Sequence, residues 1–189
     1  MRRLVLISHI SLDGYVAGEK GELDGFDPGE ENLQFVCGLT KTADVALFGR
    51  KSYELLNAYW PQAASQGHAT PGMIDYSNWY NGAQKIVISR TMTGGGLANT
   101  IILKDEILQK IQELKNQAGK NILMFGSPTA SVALIENNLF DDYWIFVNPV
   151  IFGKGIPLLK PMNLYRRLRL IETKQFSNGE LAMHFEVRV

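Results

Sequence analysis

VALFGRKSYELL, residues 45–56, runs an apolar segment into a single glycine, sets two cations side by side, and then opens a helical pattern. Strand, glycine and helix in direct succession make a strand–glycine–helix junction, and it is this junction that points to an α/β fold. The cations stand in an unfavourable place. Unpaired N–H groups give a helix start partial positive charge, so Arg50 and Lys51 there cost up to about 0.3–1 kcal/mol. Either both are solvated surface charges, lightly penalised, or they serve something that approaches from outside. Gly49 permits a tight turn and close backbone approach, while the free N–H groups of the next turn face outward, a combination that binds phosphate. On that second reading Arg50 and Lys51 are arms that close over an anion, and the Ser52 hydroxyl adds a donor.

Working outward, the same alternation recurs. Residues 3–10 read as a buried strand, followed by the turn-rich SLDGYVAG and a polar loop over 19–30. A helix is expected over 30–41, a strand over 44–48 and a helix over 51–58. Residues 60–82 hold two prolines, three glycines and several aromatics, and read as a long loop that is functional or contains a short helix. AQKIVISRT, NTIIL and NILMF are strands. In 105–118, Ile107, Ile111, Leu114 and Ala118 share one face of an amphipathic helix. A helix over 129–138 leads to YWIFVNPVIF, a strand whose Pro149 implies a bulge or an edge. Residues 164–174 and 181–188 pair as an antiparallel hairpin through Ser177-Asn178-Gly179. TGGGLANT, residues 93–100, reads as a glycine-flexible turn between strands. Strands alternating with helices early, then strands alone, give one α/β domain over 1–189, with a mostly parallel sheet and an antiparallel C-terminal edge.

The composition excludes some classes of function. Nineteen basic residues balance nineteen acidic ones, so no global field recruits nucleic acid or an anionic membrane. Cys37 is the only cysteine, which rules out an intrachain disulfide and a multi-cysteine metal site; its apolar neighbours predict a buried, inert thiol. The apolar run Leu4–Ile7 is too short for a signal-peptide core or a membrane span, and a cytoplasmic address is the default expectation.

A second junction repeats the plan of the first. NILMFGSPTASVALI, residues 121–135, passes from strand to Gly126, with Ser127 placed to cap, Pro128 at the first helical position, and Thr129 and Ser131 as further donors. A well-capped connection explains the segment alone. A third strand end, Ser89-Arg90-Thr91, puts another cation between hydroxyls. Ligands of open α/β sheets sit beyond the carboxyl ends of the parallel strands, and three such ends suit a ligand with more than one phosphate. The P-loop pattern fails, because Arg50 stands where its second glycine belongs.

SLDGYVAG, VALFGRKSYELL, KIVISRT and MFGSPTASVALIENNLFDDYWIFVNPVIFGKGIPLL, in that order and over nearly the whole chain, resemble the dihydrofolate-reductase-like superfamily. The branch they look most like is the reductase half of the bacterial bifunctional deaminase-reductase of riboflavin biosynthesis. The resemblance implies the dihydrofolate-reductase-like fold, NADPH as hydride donor and pairing into homodimers. By that resemblance Gly49, Arg50, Lys51 and Ser52 match the turn that holds the pyrophosphate and approaches the 2′-phosphate. Ser89, Arg90 and Thr91 match the strand end beside the 2′-phosphate. Gly126, Ser127, Thr129 and Ala130 match the second glycine turn, near the diphosphate and the nicotinamide ribose, and Val16 and Ala17 border the nicotinamide. Dihydrofolate reductases proper carry a pterin-anchoring carboxylate on the first helix, where ENLQFVCG here has apolar or amide residues near Leu33 and Gln34, which argues against folate as substrate. The deaminase half needs an H-x-E and P-C-x-x-C zinc site that one cysteine cannot supply, so any role is reductase only.

Hydride transfer needs positioning and a proton source. Asp13, at the end of the first strand, is the candidate acid or polar anchor, with an Asp-Gly turn residue as the alternative. Tyr53 and Trp60 either stack against a flat heterocycle or pack the interior. Asn148 either satisfies a bulge or faces the cleft. His9 reads as a hydrogen-bonded interior residue, with a catalyst as the alternative. The expectation is an NADPH-dependent reductase of a small heterocycle, in its specific form a 5-amino-6-(5-phosphoribosylamino)uracil reductase. The competing reading is a protein that binds NADPH and has lost turnover.

Overall fold

Strand β1 (Leu4–Ser11) is apolar on both faces: Leu4 and Leu6 turn to one side, Val5 and Ile7 to the other, and all four are buried. A strand of that kind needs cover above and below, which is the position of a central parallel strand. The computed structural model, which describes residues 1–93 and 98–188, places it there. After β1 come β2 (Tyr15–Ala17), α1 (Glu30–Thr40), β3 (Ala43–Gly49), α2 (Arg50–Ala63), α3 (Pro71–Gly82), β4 (Gln84–Ile88) and β5 (Thr100–Leu103). The chain continues with α4 (Ile107–Asn116), β6 (Asn121–Phe125), α5 (Pro128–Glu136), β7 (Asp142–Asn148), β8 (Ile156–Pro157), β9 (Leu168–Gln175) and β10 (Leu181–Val187).

The main sheet has eight strands in the order β5-β4-β3-β6-β1-β7-β10-β9. From β5 to β7 every pairing is parallel, and β10 runs antiparallel to both β7 and β9. This is the mostly parallel α/β sheet with an antiparallel C-terminal edge that the alternation of patterns predicts. One core lies beneath α1, α2 and α3, with Phe48, Tyr76, Tyr80 and Phe146 at its centre; the other lies beneath α4 and α5, with Ile111, Met124 and Leu134. Cys37 is buried in the first, its Sγ donating to the Gly72 carbonyl at 3.4 Å, and burial pushes its thiol up to about 11. No described helix is both long and apolar enough to cross a membrane.

The structure departs from the expected elements in four places. Residues 60–82 hold the end of α2 and all of α3. Pro61 removes one helical N–H, but α2 has only its last turn left to run. Helix α3 starts as its sequence should: the Thr70 hydroxyl accepts from Met73 N–H at 3.3 Å and Pro71 follows. Glu30 reaches across from α1, accepting from the Thr70 hydroxyl at 2.5 Å and Gly72 N–H at 2.8 Å, which sets a negative charge at the positive end of α3. Strand β7 stops at Asn148, since Pro149 has no N–H to continue the ladder. Strand β9 begins four residues later than 164, the intervening Leu164 packing on the second core. Finally, SLDGYVAG is more than a turn: β2 pairs with β8 as a separate antiparallel ribbon. The glycine run of TGGGLANT lies at 94–97, outside the described residues.

That ribbon depends on Gly155. An added Cβ there would lie 2.3 Å from the Ala17 carbonyl oxygen, a backbone atom that cannot retreat without parting β2 from β8. Gly155→Ala is expected to cost about 1–3 kcal/mol in chemical denaturation, the range of overpacking at a tight contact. An unchanged midpoint would mean that the glycine does not set the approach of the two strands.

Candidate functional site

Helices leave adjacent strands β3 and β6 toward opposite faces of the sheet, α2 to one and α5 to the other. Where neighbouring parallel strands send their helices apart, a crevice opens beyond the strand ends. Its two walls touch. Gly49 N–H donates to Ser127 Oγ at 2.8 Å, and Ser127 Oγ donates to the Phe125 carbonyl at 3.0 Å. A Cβ added to Gly49 would meet Ala130 Cβ at 3.1 Å and Ser127 Cβ at 3.4 Å, so glycine is what lets the β3 turn lie this close to α5. Gly126 N–H donates to the Ile7 carbonyl at 2.8 Å, tying the second turn to β1.

Gly126 and Ser127 both adopt left-handed backbone, at φ 51° and 59°. For serine this costs about 1–2 kcal/mol. The expected capping role of Ser127 is not seen: its hydroxyl crosses to Gly49 and is spent there. Neither α2 nor α5 has a side-chain cap; the first turn of α2 is left open to a ligand, whereas in α5 Pro128 has no N–H and Ala130 N–H donates to the Ser127 carbonyl at 2.9 Å, which leaves the Thr129 N–H. Ala130 is half-buried against Gly49, whereas Thr129 is exposed beside it.

The remaining predicted anion contacts lie along the same edge. Gly49 is in register with Ile88, so Ser89 stands one step beyond β4. Ser89 Oγ accepts from Thr91 N–H at 3.3 Å and Met92 N–H at 3.0 Å, shaping a turn that leaves Arg90 and Thr91 exposed. Arg50 forms an exposed ion pair with Glu54 at 3.6 Å, worth too little to hold it from a ligand. Lys51 is exposed and Ser52 half-buried. Val16 and Ala17 leave the same end of β1 on the β2–β8 ribbon; Ala17 is buried and Val16 packs on the second core.

Four side chains expected at the chemistry are engaged elsewhere. Asp13 accepts from the Ser11 hydroxyl at 2.6 Å, Phe152 N–H at 3.1 Å and Gly153 N–H at 2.7 Å. The Ser11 hydroxyl and those two backbone donors hold its carboxyl below the usual range, which suits the polar-anchor reading of Asp13. Tyr53 is buried against Phe48 with its hydroxyl 3.4 Å from Thr100 Oγ1, a core residue rather than a pocket wall. Trp60 packs on Tyr76 with ring centroids 4.2 Å apart, in the seam between α2 and α3. Asn148 is buried, donating to the Ile10 carbonyl at 3.3 Å and to Glu180 Oε1 at 2.9 Å.

Glu180 is a residue that sequence reasoning missed. It is fully buried although it follows a hairpin turn, and it accepts from His9 Nδ1 at 2.6 Å, from Asn148 and from Asn32 of α1. The signal was its register. Glu180 stands two residues before Ala182, which is wholly buried, so the period of two turns it inward.

The family model described as the RibD C-terminal domain matches residues 2–182. The chain is 30% identical over 183 residues to the uncharacterized protein YyaP of Bacillus subtilis (strain 168), covering 94% of this chain and 91% of that one. Among solved structures, a putative riboflavin biosynthesis protein from Shewanella sp. PV-4 superposes with a TM-score of 0.76 at 20% identity, covering 99% of both chains. RibD of Acinetobacter baumannii superposes with a TM-score of 0.73 at 16% identity; all of this chain matches 59% of that one.

The anchoring role of Asp13 has a pH signature. Its carboxyl is held below 3.8, so the stability it contributes is complete above that value and lost as pH falls through its folded value. The difference in melting temperature between the wild type and Asp13→Asn should therefore be constant at neutral pH and close as the solution is acidified below 3.8. A gap that persists in acid would remove the carboxylate from the anchor.

Proposed function

The chain belongs to the RibD C-terminal domain family, and on that premise we propose that it is an NADPH-dependent reductase of a small heterocycle. The specific form is reduction of an aminopyrimidine that carries a phosphoribosylamino group, as in 5-amino-6-(5-phosphoribosylamino)uracil. One observation carries this reading: the Gly49 N–H to Ser127 Oγ bond joins two uncapped helix starts, from opposite faces of the sheet, into one cradle.

The residues present fit a dinucleotide diphosphate. Gly126 offers open space, with no atom within 4 Å of where a Cβ would stand, so backbone can be approached closely there. First-turn N–H groups of α2 and the Thr129 N–H of α5 would donate to phosphate oxygens, with the Ser52 and Thr129 hydroxyls beside them. Arg50, Lys51 and Arg90 are exposed cations along this rim and would take the 2′-phosphate that distinguishes NADPH from NADH. When bound, the reduced nicotinamide supplies a hydride to the acceptor. The strain in Ser127 and the cations at the start of α2 both run against local stability, a pattern that accompanies binding sites.

Replacing Arg50 and Arg90 together by alanine tests the cofactor assignment. Each lost charge-assisted hydrogen bond is worth roughly 1.5–3 kcal/mol, so NADPH should weaken at least about tenfold per contact while NADH changes far less. Equal loss for both dinucleotides would remove the arginines from the 2′-phosphate. NADPH oxidation in the presence of pterins, flavins and aminopyrimidines tests the reaction; tight binding without turnover on any of them would leave a cofactor-binding protein.

A further inference from the structure

We propose that His9 donates the proton that completes the reduction and that buried Glu180 positions it. This rests on the reductase reading and supplies an acid other than Asp13, whose carboxylate oxygens accept from Ser11, Phe152 and Gly153.

An ionised carboxylate taken out of water loses several kcal/mol of solvation unless its lone pairs are matched. Glu180 has no exposed surface, and four parts of the chain converge on it: α1 through Asn32, β1 through His9, β7 through Asn148, and its own hairpin. Asn148 Nδ2 also donates to the Ile10 and Phe146 carbonyls, which fixes its amide so that it meets Glu180 as a donor. The carboxylate is thus surrounded by donors, and His9 Nδ1 contributes an N–H to it. Apolar residues of similar volume often stabilise a fold as well as a buried polar cluster does, so the convergence of four separated segments on one carboxylate is weak evidence of a stabilising role.

His9 is the one member of the cluster that reaches the surface, with about a third of its side chain exposed. Its ring lies on Phe146 with centroids 4.6 Å apart, so stacking and the Glu180 bond together hold its orientation. With Nδ1 committed, Nε2 is the free end; it makes no hydrogen bond among the described residues. The position is equally defined. His9 lies two residues beyond Ile7 on the same face of β1, and the Ile7 carbonyl receives the N–H of Gly126. His9 is therefore two positions past the β1 carbonyl that ties in the second glycine turn, toward the carboxyl end of the strand, where the cradle opens.

The charges around it are few. Glu180 touches it directly; Lys174, on the same face three strands away, is paired with Glu31 at 3.2 Å beyond Phe35 and Phe176. Arg50 and Lys51 stand on the α2 side of the rim. Glu180 holds Nδ1–H, which fixes the tautomer and leaves Nε2 as the end that meets the acceptor. In the reaction a C=N or C=O double bond of the acceptor breaks its π bond. Its carbon receives a hydride with two electrons from the reduced nicotinamide dinucleotide, and its nitrogen or oxygen receives the Nε2 proton. The imidazole is left neutral, still bonded to Glu180, and regains a proton from water.

Two measurements on the intact protein test this. Diethyl pyrocarbonate acylates accessible imidazole, and peptide mass spectrometry separates His9 from exposed His68, which serves as internal control. Saturation with NADP⁺ should slow modification of His9 several-fold and leave His68 unchanged; equal rates at His9 with and without bound dinucleotide would overturn the placement. For turnover, His9→Gln should lower kcat by about 10²–10⁴-fold, the contribution of a positioned acid, with NADPH affinity retained. Glu180→Gln should lower kcat less and leave KM unchanged, a split that a packing defect would not give. Wild-type kcat in His9→Gln would sink the proposal while the reductase reading stands. Failure of the wild type to bind NADP⁺ or to reduce any acceptor would sink the reductase reading instead, and the proposal with it.

Discussion

The hydrogen bond from Gly49 N–H to Ser127 Oγ is the constraint on which the functional architecture depends. It joins the ends of two parallel strands whose helices diverge, and a side chain at residue 49 would crowd it, since a Cβ there would meet Ala130 Cβ at 3.1 Å. Its cost is visible. Ser127 sits in left-handed backbone, and the helix it precedes has no side-chain cap. The same cost leaves main-chain donors of two helices pointing at one place, which a neutral protein with no global field can use to attract a multiply charged anion locally.

Around that junction the molecule divides its polar groups by task. At the opposite edge of the sheet, Arg3 pairs with Asp142 and Glu186, Lys115 with Asp141, and Arg2 with Asp44, interactions that close the fold. At the rim near Gly49 and Gly126 the cations are exposed and weakly held, and the buried carboxylate of Glu180 is bonded to the one histidine that reaches the surface there. Groups that stabilise are paired, and groups free to bind are uncovered.

Much of this was legible in the chain because it is written in short-range pattern. Apolar runs on both faces identify the central strands, and glycine followed by helix periodicity identifies the junctions; together they give the sheet and the cradle. Helix α3 was harder to read, since Gly72 and Gly82 mimic loop punctuation, although Thr70-Pro71 marked its start and Tyr76, Trp79 and Tyr80 share one face at helical spacing. The side chains near the chemistry were harder still. Asp13, Tyr53 and Asn148 carry suitable groups, but their partners Gly153, Thr100 and Glu180 are remote in sequence, so local pattern does not say which way each is spent. Glu180 itself passed as a surface charge after a turn, although its alternation with Ala182 already faced it inward.

A structure of the protein with bound NADPH is the most direct test of the account. The diphosphate should lie against the first turns of α2 and α5, between Gly49 and Gly126, with the 2′-phosphate beside Arg50 or Arg90. A dinucleotide bound at the opposite edge of the sheet, or one whose diphosphate touches only one of the two glycine turns, would contradict it.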